Sequence, residues 1–157
     1  MKQLWAPWRL EYIKSAEDGG CVFCAADESL LVTRGRHALV LVNKFPYASG
    51  HFMAAPIRHV GEFAELEDEE VLELHRLASA GMRALAQLYS PQAYNVGWNL
   101  GRIAGAGVVD HVHLHVVPRW AGDTNFMPVL ADTKVLPEHL EETRRRLSEV
   151  WPARQAP

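Results

Sequence analysis

The stretch "DHVHLHVVPRW", Asp110–Trp120, decides the reading of this chain. His111, His113 and His115 occupy alternate positions, and Val112, Leu114 and Val116 fill the positions between and after them. Successive side chains of a β-strand point to opposite faces, so this alternation describes a strand with one apolar face. A strand is expected over Val109–Val117, its valines and leucine entering the core and its three histidines sharing the other face. A single histidine in such a pattern is ordinarily a polar residue on a wet face. Three of the chain's eight histidines in strict alternation ask for a chemical reason.

Working outward, "ALVLV", Ala38–Val42, is a short run rich in β-branched residues and reads as a strand. "KFPYASG" follows as a loop, and "HFMAAPI", from His51, reads as a second strand cut short by Pro56. Together they suggest an antiparallel hairpin with a long loop. From Asp68 to Tyr89 the period changes. Val71, Leu74, Ala78, Met82, Leu85 and Leu88 recur at helical steps, with Glu69, Glu70, Glu73, Arg76 and Arg83 between them. That is an amphipathic helix. "YNVGWNL", Tyr94–Leu100, reads as a strand and "GRIAGAG", Gly101–Gly107, as a glycine-rich loop. A last helix is expected from Pro137, a residue suited to a first turn, through Leu140, Thr143, Leu147 and Val150. The order gives an α+β fold: an antiparallel sheet with one long central helix and a C-terminal helix.

The chain's 157 residues fit a single domain, 1–157, with an N-terminal extension over 1–19. Trp5, Trp8 and Tyr12 in that extension call for burial, on this domain or on a partner subunit. The tail "WPARQAP", above all residues 152–157, is expected to fray. A net charge of -3 and a pI near 6.2 argue against a broad basic surface for nucleic acid. "RRR", Arg144–Arg146, reads as a solvated helix face beside Glu141, Glu142 and Glu149. No run approaches the roughly 18 apolar residues of a membrane span, and the opening "MKQLWAPWRLEYIK" lacks the apolar stretch of a signal peptide. A cytoplasmic protein is expected, and with it reduced cysteines.

Three imidazoles on one face can hold a catalytic metal ion. Alternatively, one can act as a nucleophile while its neighbours set its tautomer. A neutral imidazole can attack phosphorus and form a P–N bond. The strand alone leaves both open. "CVFC", Cys21–Cys24, is a Cys-x-x-Cys and by itself fits a redox pair, half a metal site or two buried thiols. In "NLGRIAGAGVVDH", Asn99–His111, the backbone N–H groups of the glycine-rich loop can meet phosphate oxygens, with Asn99 and Arg102 as further donors. It reads equally as a plain hairpin loop.

The segment "VNKFPYASGHFMAAPIRH", Val42–His59, followed later by "HVHLHVVPRW", resembles the histidine triad (HIT) family over roughly residues 20–130. Its mark is His-x-His-x-His-x-x with apolar residues at x. The resemblance implies that His113 is the nucleophile, attacking the α-phosphorus of a nucleotide to form a nucleotidyl-histidine. His115 would hydrogen-bond within the site, and His51 would stand near the phosphates. Asn43 matches the position whose side chain holds the ribose hydroxyls, although alone it reads as a turn residue. Members with an early Cys-x-x-Cys use it with two histidines to bind structural zinc, which here implies Cys21, Cys24, His59 and His111. Better-known branches carry Gly-Gln-Ser or Gly-Gln-Thr before the triad. This chain has Gly105, Ala106, Gly107, Val108, Val109 and Asp110 instead. Both side-chain donors are missing, and backbone amides near Ala106 and Gly107 are the expected substitutes.

"PRWAGDTNF", Pro118–Phe126, and "LWAPWR", Leu4–Arg9, are similar to a bacterial branch that includes a diadenosine tetraphosphate phosphorylase and is usually a homodimer joining two sheets. Trp5, Trp8 and Trp120 would serve that interface, cover the nucleotide or enter the core. The expected function is cleavage of a dinucleoside polyphosphate or related nucleotide conjugate at the α-phosphate, with water or orthophosphate as acceptor. The rivals are a metal-dependent hydrolase using all three histidines and a non-enzymatic nucleotide-binding module.

Overall fold

The computed structural model describes residues 20–123 and 138–152. Trp5, Trp8, Tyr12 and the helix start at Pro137 lie outside the described residues. A short helix α1 (Val22–Ala25) leads into β1 (Leu31–Arg34), β2 (Ala38–Val42) and β3 (Phe52–Pro56). The long helix α2 (Asp68–Tyr89), β4 (Ala93–Trp98), β5 (Leu114–Arg119) and helix α3 (Leu140–Val150) follow, with single 3-10 turns at Phe63–Glu65 and Arg102–Ala104. The strands form one sheet in the order β1-β2-β3-β5-β4, with all neighbours antiparallel. This is the α+β architecture that the pattern of elements implies.

The sheet has two unlike faces. Phe52 pairs with Val116 and Ala54 with Leu114, and these residues face α2. The alternate pair, Met53 with His115, faces the other way. Helix α2 starts with a capping box between Glu67 and Glu70, and Asp68, Glu69 and Glu70 in its first turn suit the positive end of the helix dipole. It buries Leu74, Ala78, Ala84 and Leu85. Near the start of the sheet, the Glu73 carboxylate accepts from the backbone N–H groups of Arg36, His37 and Ala38. A Cβ at Gly35 would lie 2.6 Å from that carboxylate, so the glycine leaves room for this anion nest.

Several elements depart from the sequence expectation. Strand β5 begins at Leu114, not Val109, because its ladder with β3 stops at the pair Ala54–Leu114 and the chain before it finds other partners. The N–H of Val112 donates to the carbonyl of Val60. Val112, Leu114 and Val116 are buried, yet His111 and His113 are buried too, at 0% and 3% exposure, so the histidine side is not a wet face. β1 was not anticipated, since only Leu31 and Val32 precede Thr33 and Arg34. On α2, Val71 is exposed while Glu70 is buried. Pro118 is tolerated in β5 because it lies beyond the last β3 pair, Phe52 with Val116. Trp151, the first residue of the supposed tail, packs edge-on against Phe52 with centroids 6.0 Å apart.

Helix and sheet meet most closely at Gly81. A Cβ there would come within 2.3 Å of the Phe52 ring and 2.9 Å of Trp151. Gly81→Ala should therefore destabilise the protein by about 1–3 kcal/mol through overpacking, although alanine is the better helix former. The midpoint of denaturant unfolding measures it, and a stabilised variant would refute the close contact.

Candidate active site and metal centre

The loop after β2 brings His51 beneath the triad. Asn43 closes an Asx turn, its Oδ1 accepting the Phe45 N–H at 2.9 Å. Its Nδ2 lies 3.4 Å from both nitrogens of the His51 ring. The chain turns at Gly50, with φ of +81°, and returns so that Asn43 N–H meets the His51 carbonyl at 3.0 Å. His51 is fully enclosed, at 1% exposure.

The backbone assigns a tautomer to each ring. The Tyr47 N–H donates to His51 Nδ1 at 3.0 Å. A backbone amide is always a donor, so Nδ1 of neutral His51 carries a lone pair and Nε2 carries the proton. His51 Nε2 lies 3.0 Å from His115 Nδ1, which must then accept. The proton of His115 consequently sits on Nε2, 3.3 Å from the Asn99 side-chain amide. An oxygen completes that bond, either the Asn99 carbonyl after an amide turn or the oxygen of a bound group.

His113 is set the opposite way. Its Nδ1–H donates to the carbonyl of His111 at 2.8 Å, which leaves the lone pair on Nε2. Burial pushes its pKa below that of a free histidine, with the bond to the carbonyl opposing the shift. The ring is therefore neutral near pH 7 and one nitrogen is free to attack. Its neighbours are His115, with ring centroids 4.9 Å apart, and Phe23, also at 4.9 Å.

His111 points elsewhere. Its Nε2–H donates to the Pro56 carbonyl at 2.8 Å, so Nδ1 carries the lone pair. That nitrogen lies 3.1 Å from Cys21 Sγ and 3.6 Å from Cys24 Sγ, and His59 Nδ1 lies 3.2 Å from Cys24 Sγ. The four ligand atoms all fall within 4.8 Å of one another. Metal–sulfur and metal–nitrogen bonds of about 2.3 and 2.0 Å in a tetrahedron put S and N about 3.5 Å apart, close to these separations. A backbone carbonyl holding the outer nitrogen of a ligating histidine is the support such sites use. Cys21, Cys24, His59 and His111 thus form a cluster fit to bind a metal ion. Among the described residues no such cluster includes His113 or His115, so the three triad histidines do not converge on one ion.

The glycine-rich loop is less open than its composition suggests. Gly105 N–H meets the Arg102 carbonyl at 3.0 Å, and Ala106 N–H meets that of Gly101 at 3.2 Å. The amides of Gly105 and Ala106 are thus engaged inside the loop. Arg102 is exposed in the 3-10 turn. Trp120 donates its indole N–H to the Tyr89 carbonyl at 3.1 Å. Three site residues carried no signal in the sequence. Tyr47 acts through its backbone and Phe23 through packing. Gly97 pairs with His115, and a Cβ there would meet nothing within 4 Å, so the space beside His115 is open.

The metal cluster is tied to α2 next to His59. Arg58 donates to the buried Glu70 at 3.0 and 2.8 Å and to the Glu65 carbonyl at 2.8 Å. Burial alone would raise the Glu70 pKa, but the guanidinium and the Glu67 N–H outweigh it and hold the carboxyl below its ordinary value of 4.5. A carboxyl depressed by folding stabilises above its unfolded pKa, and that contribution is lost as pH falls through the folded value. Arg58→Met should cost about 1–3 kcal/mol at pH 7, the cost of leaving the Glu70 carboxylate underbonded. The difference from the unaltered protein should shrink below pH 4.5. Urea melts at several pH values would show it, and a pH-independent difference would reject the assignment.

A model of the HIT domain matches residues 26–122, which places the chain in the HIT domain family. Among individual proteins, it is 37% identical over 169 residues to the AP-4-A phosphorylase of Mycobacterium tuberculosis, covering 99% of this chain and 86% of that one. It is 30% identical over 103 residues to the adenosine 5'-monophosphoramidase hnt1 of Schizosaccharomyces pombe, covering 63% of this chain and 74% of that one. The crystal structure of a Zn-bound histidine triad family protein from Mycobacterium smegmatis superposes with a TM-score of 0.67 at 26% identity, over 84% of this chain and 93% of that one. The chain is a nucleotide-processing enzyme of this family.

Proposed function

We propose that this enzyme cleaves a dinucleoside polyphosphate, with diadenosine tetraphosphate the substrate of choice, through a nucleotidyl-His113 intermediate. The opposed tautomers of His113 and His115 carry the reading. His113 Nε2 attacks the α-phosphorus, a P–N bond forms, and the P–O bond to the departing nucleotide breaks. The departing oxygen leaves as a phosphate anion and accepts a hydrogen bond from His115 Nε2–H, and His51, pinned by the Tyr47 amide, holds that imidazole in register. Water or orthophosphate then attacks the phosphorus and breaks the P–N bond, which returns His113 to the neutral imidazole, and the proton lost by the acceptor passes to solvent. Amides from Gly107 onward, with Asn99 and Arg102, face the phosphate charge. Asn43 keeps one Oδ1 lone pair beyond its turn for a ribose hydroxyl. The 37% identical relative is an AP-4-A phosphorylase, which favours orthophosphate as acceptor.

Product analysis decides between acceptors. ATP plus ADP appearing only with orthophosphate marks a phosphorylase, and ATP plus AMP without it a hydrolase. His113→Ala should abolish turnover while leaving nucleotide binding and the fold intact, and activity retained in that variant rejects the mechanism. Nucleotide binding without turnover under either acceptor would mark a binding module. Because the neutral imidazole attacks, the acid limb of the rate should fall below the pKa of about 6.5 of a free histidine.

The ion proposed for the cysteine–histidine cluster is zinc in a structural role. No helix among the described residues is long and apolar enough to cross a membrane. We place the enzyme in the cytoplasm as a homodimer without a nucleic-acid partner. Strand β4 supports the dimer, since it is one of the sheet's two edges and Val96 on it is half exposed. Elemental analysis should find one zinc per chain. Chelation should lower the melting temperature and expose the segment around Cys21 to protease before it affects the rest of the fold. An apo form of unchanged stability would remove the structural role.

A further inference from the structure

Phe23 stands between the two cysteines of the metal cluster, outside the stretch that matches the family model. It is 1% exposed. The ring lies against His113, with centroids 4.9 Å apart and planes at 32°, and against His111, at 5.1 Å and 51°. His113 is therefore confined by Phe23, by the His115 ring 4.9 Å away at 67° and by its Nδ1–H bond to the His111 carbonyl.

The segment that delivers Phe23 cannot hold itself in place. Helix α1 has four residues, no side-chain cap, and Ala26 in the left-handed region at its end. A single turn of helix is unstable alone. Its anchors are Phe23 in the core and the two sulfurs beside His111 and His59. We propose that Phe23 is a positioning residue for the nucleophile, its ring clipped against His113 by the metal-binding cysteines that flank it. The inference rests on the reading of His113 as nucleophile. Confinement keeps Nδ1–H on the carbonyl and thereby keeps the lone pair of Nε2 aimed at phosphorus.

The test uses the full-length protein, zinc-loaded for Phe23→Ala and Phe23→Leu, and beside them the double variant Cys21→Ala/Cys24→Ala, which lacks two of the four ligands. Single-turnover formation of the nucleotidyl-enzyme from diadenosine tetraphosphate is followed by acid quench, alongside KM, zinc content and the long-range proton–nitrogen NMR spectrum of the His113 ring without nucleotide. Phe23→Ala should slow intermediate formation by about 10- to 100-fold, the scale of a misplaced reacting group. KM should stay within about threefold, zinc at one per chain, and the ring should pass from one tautomer to a mixture. Phe23→Leu should recover much of the rate, and it carries the same readouts should the alanine variant fail to fold. The cysteine variant should show the mixed tautomer with Phe23 still present.

An unchanged rate and tautomer in folded variants would overturn the proposal. So would a loss confined to KM, a loss that follows zinc content alone, or a single His113 tautomer in the cysteine variant. If the unaltered protein forms no nucleotidyl-enzyme, the proposed function fails, and the tautomer comparison still decides whether Phe23 positions the ring.

Discussion

Much of the structure depends on the bond from His111 Nε2–H to the carbonyl of Pro56. It fixes which nitrogen of His111 faces Cys21 and Cys24. It also holds the backbone of His111 where its own carbonyl receives His113 Nδ1–H. One residue thus supports the metal cluster with its ring and His113 with its main chain. The acceptor is available because Pro56 lies two residues past the last β3–β5 pair, Ala54 with Leu114.

Burial makes this arrangement selective. A buried imidazolium without a counter-charge is costly, so rings enclosed as His111 and His113 are settle in the neutral form. A neutral imidazole has one donor and one acceptor, and each must find its complement. Backbone groups, which cannot change sign, do the assigning here: the Tyr47 amide, the His111 carbonyl and the Pro56 carbonyl. They give His113 a lone pair and His115 a proton at their outer nitrogens. An outward lone pair and an outward proton are distinguished by hydrogen bonding alone, on residues of one type two positions apart.

The sheet and helix were legible because their signals are local. Helix α2 runs from Asp68 to Tyr89, the span its periodicity marks, and β2 is the run "ALVLV" itself. β1 was invisible because four residues with a single buried side chain make no pattern. The true start of β5 was hidden because alternation continues through His111 and His113 after the ladder has ended, leaving an extended chain with other partners. Glu70 reads as one more acid on a polar face, and only Arg58, brought in from the end of β3, explains its burial. The cysteine–histidine cluster draws on three distant segments. Its grouping came from family resemblance and could not have come from spacing. The engaged amide of Ala106 was likewise beyond the sequence, which gives composition but not the turn around Gly101 and Gly105.

The family match begins at residue 26, after both cysteines. The matched region supplies the sheet, the triad and His51, which are enough to orient protons. It does not supply the wall behind His113, which comes from the preceding segment through Phe23. A four-residue helix has too few internal hydrogen bonds to be that wall unaided. Its order must be imposed by contacts at both ends, with the core taking the ring and His59 and His111 taking the sulfurs. The metal cluster and His113 are consequently not separate features of this enzyme: they share His111, and they meet again across the ring of Phe23.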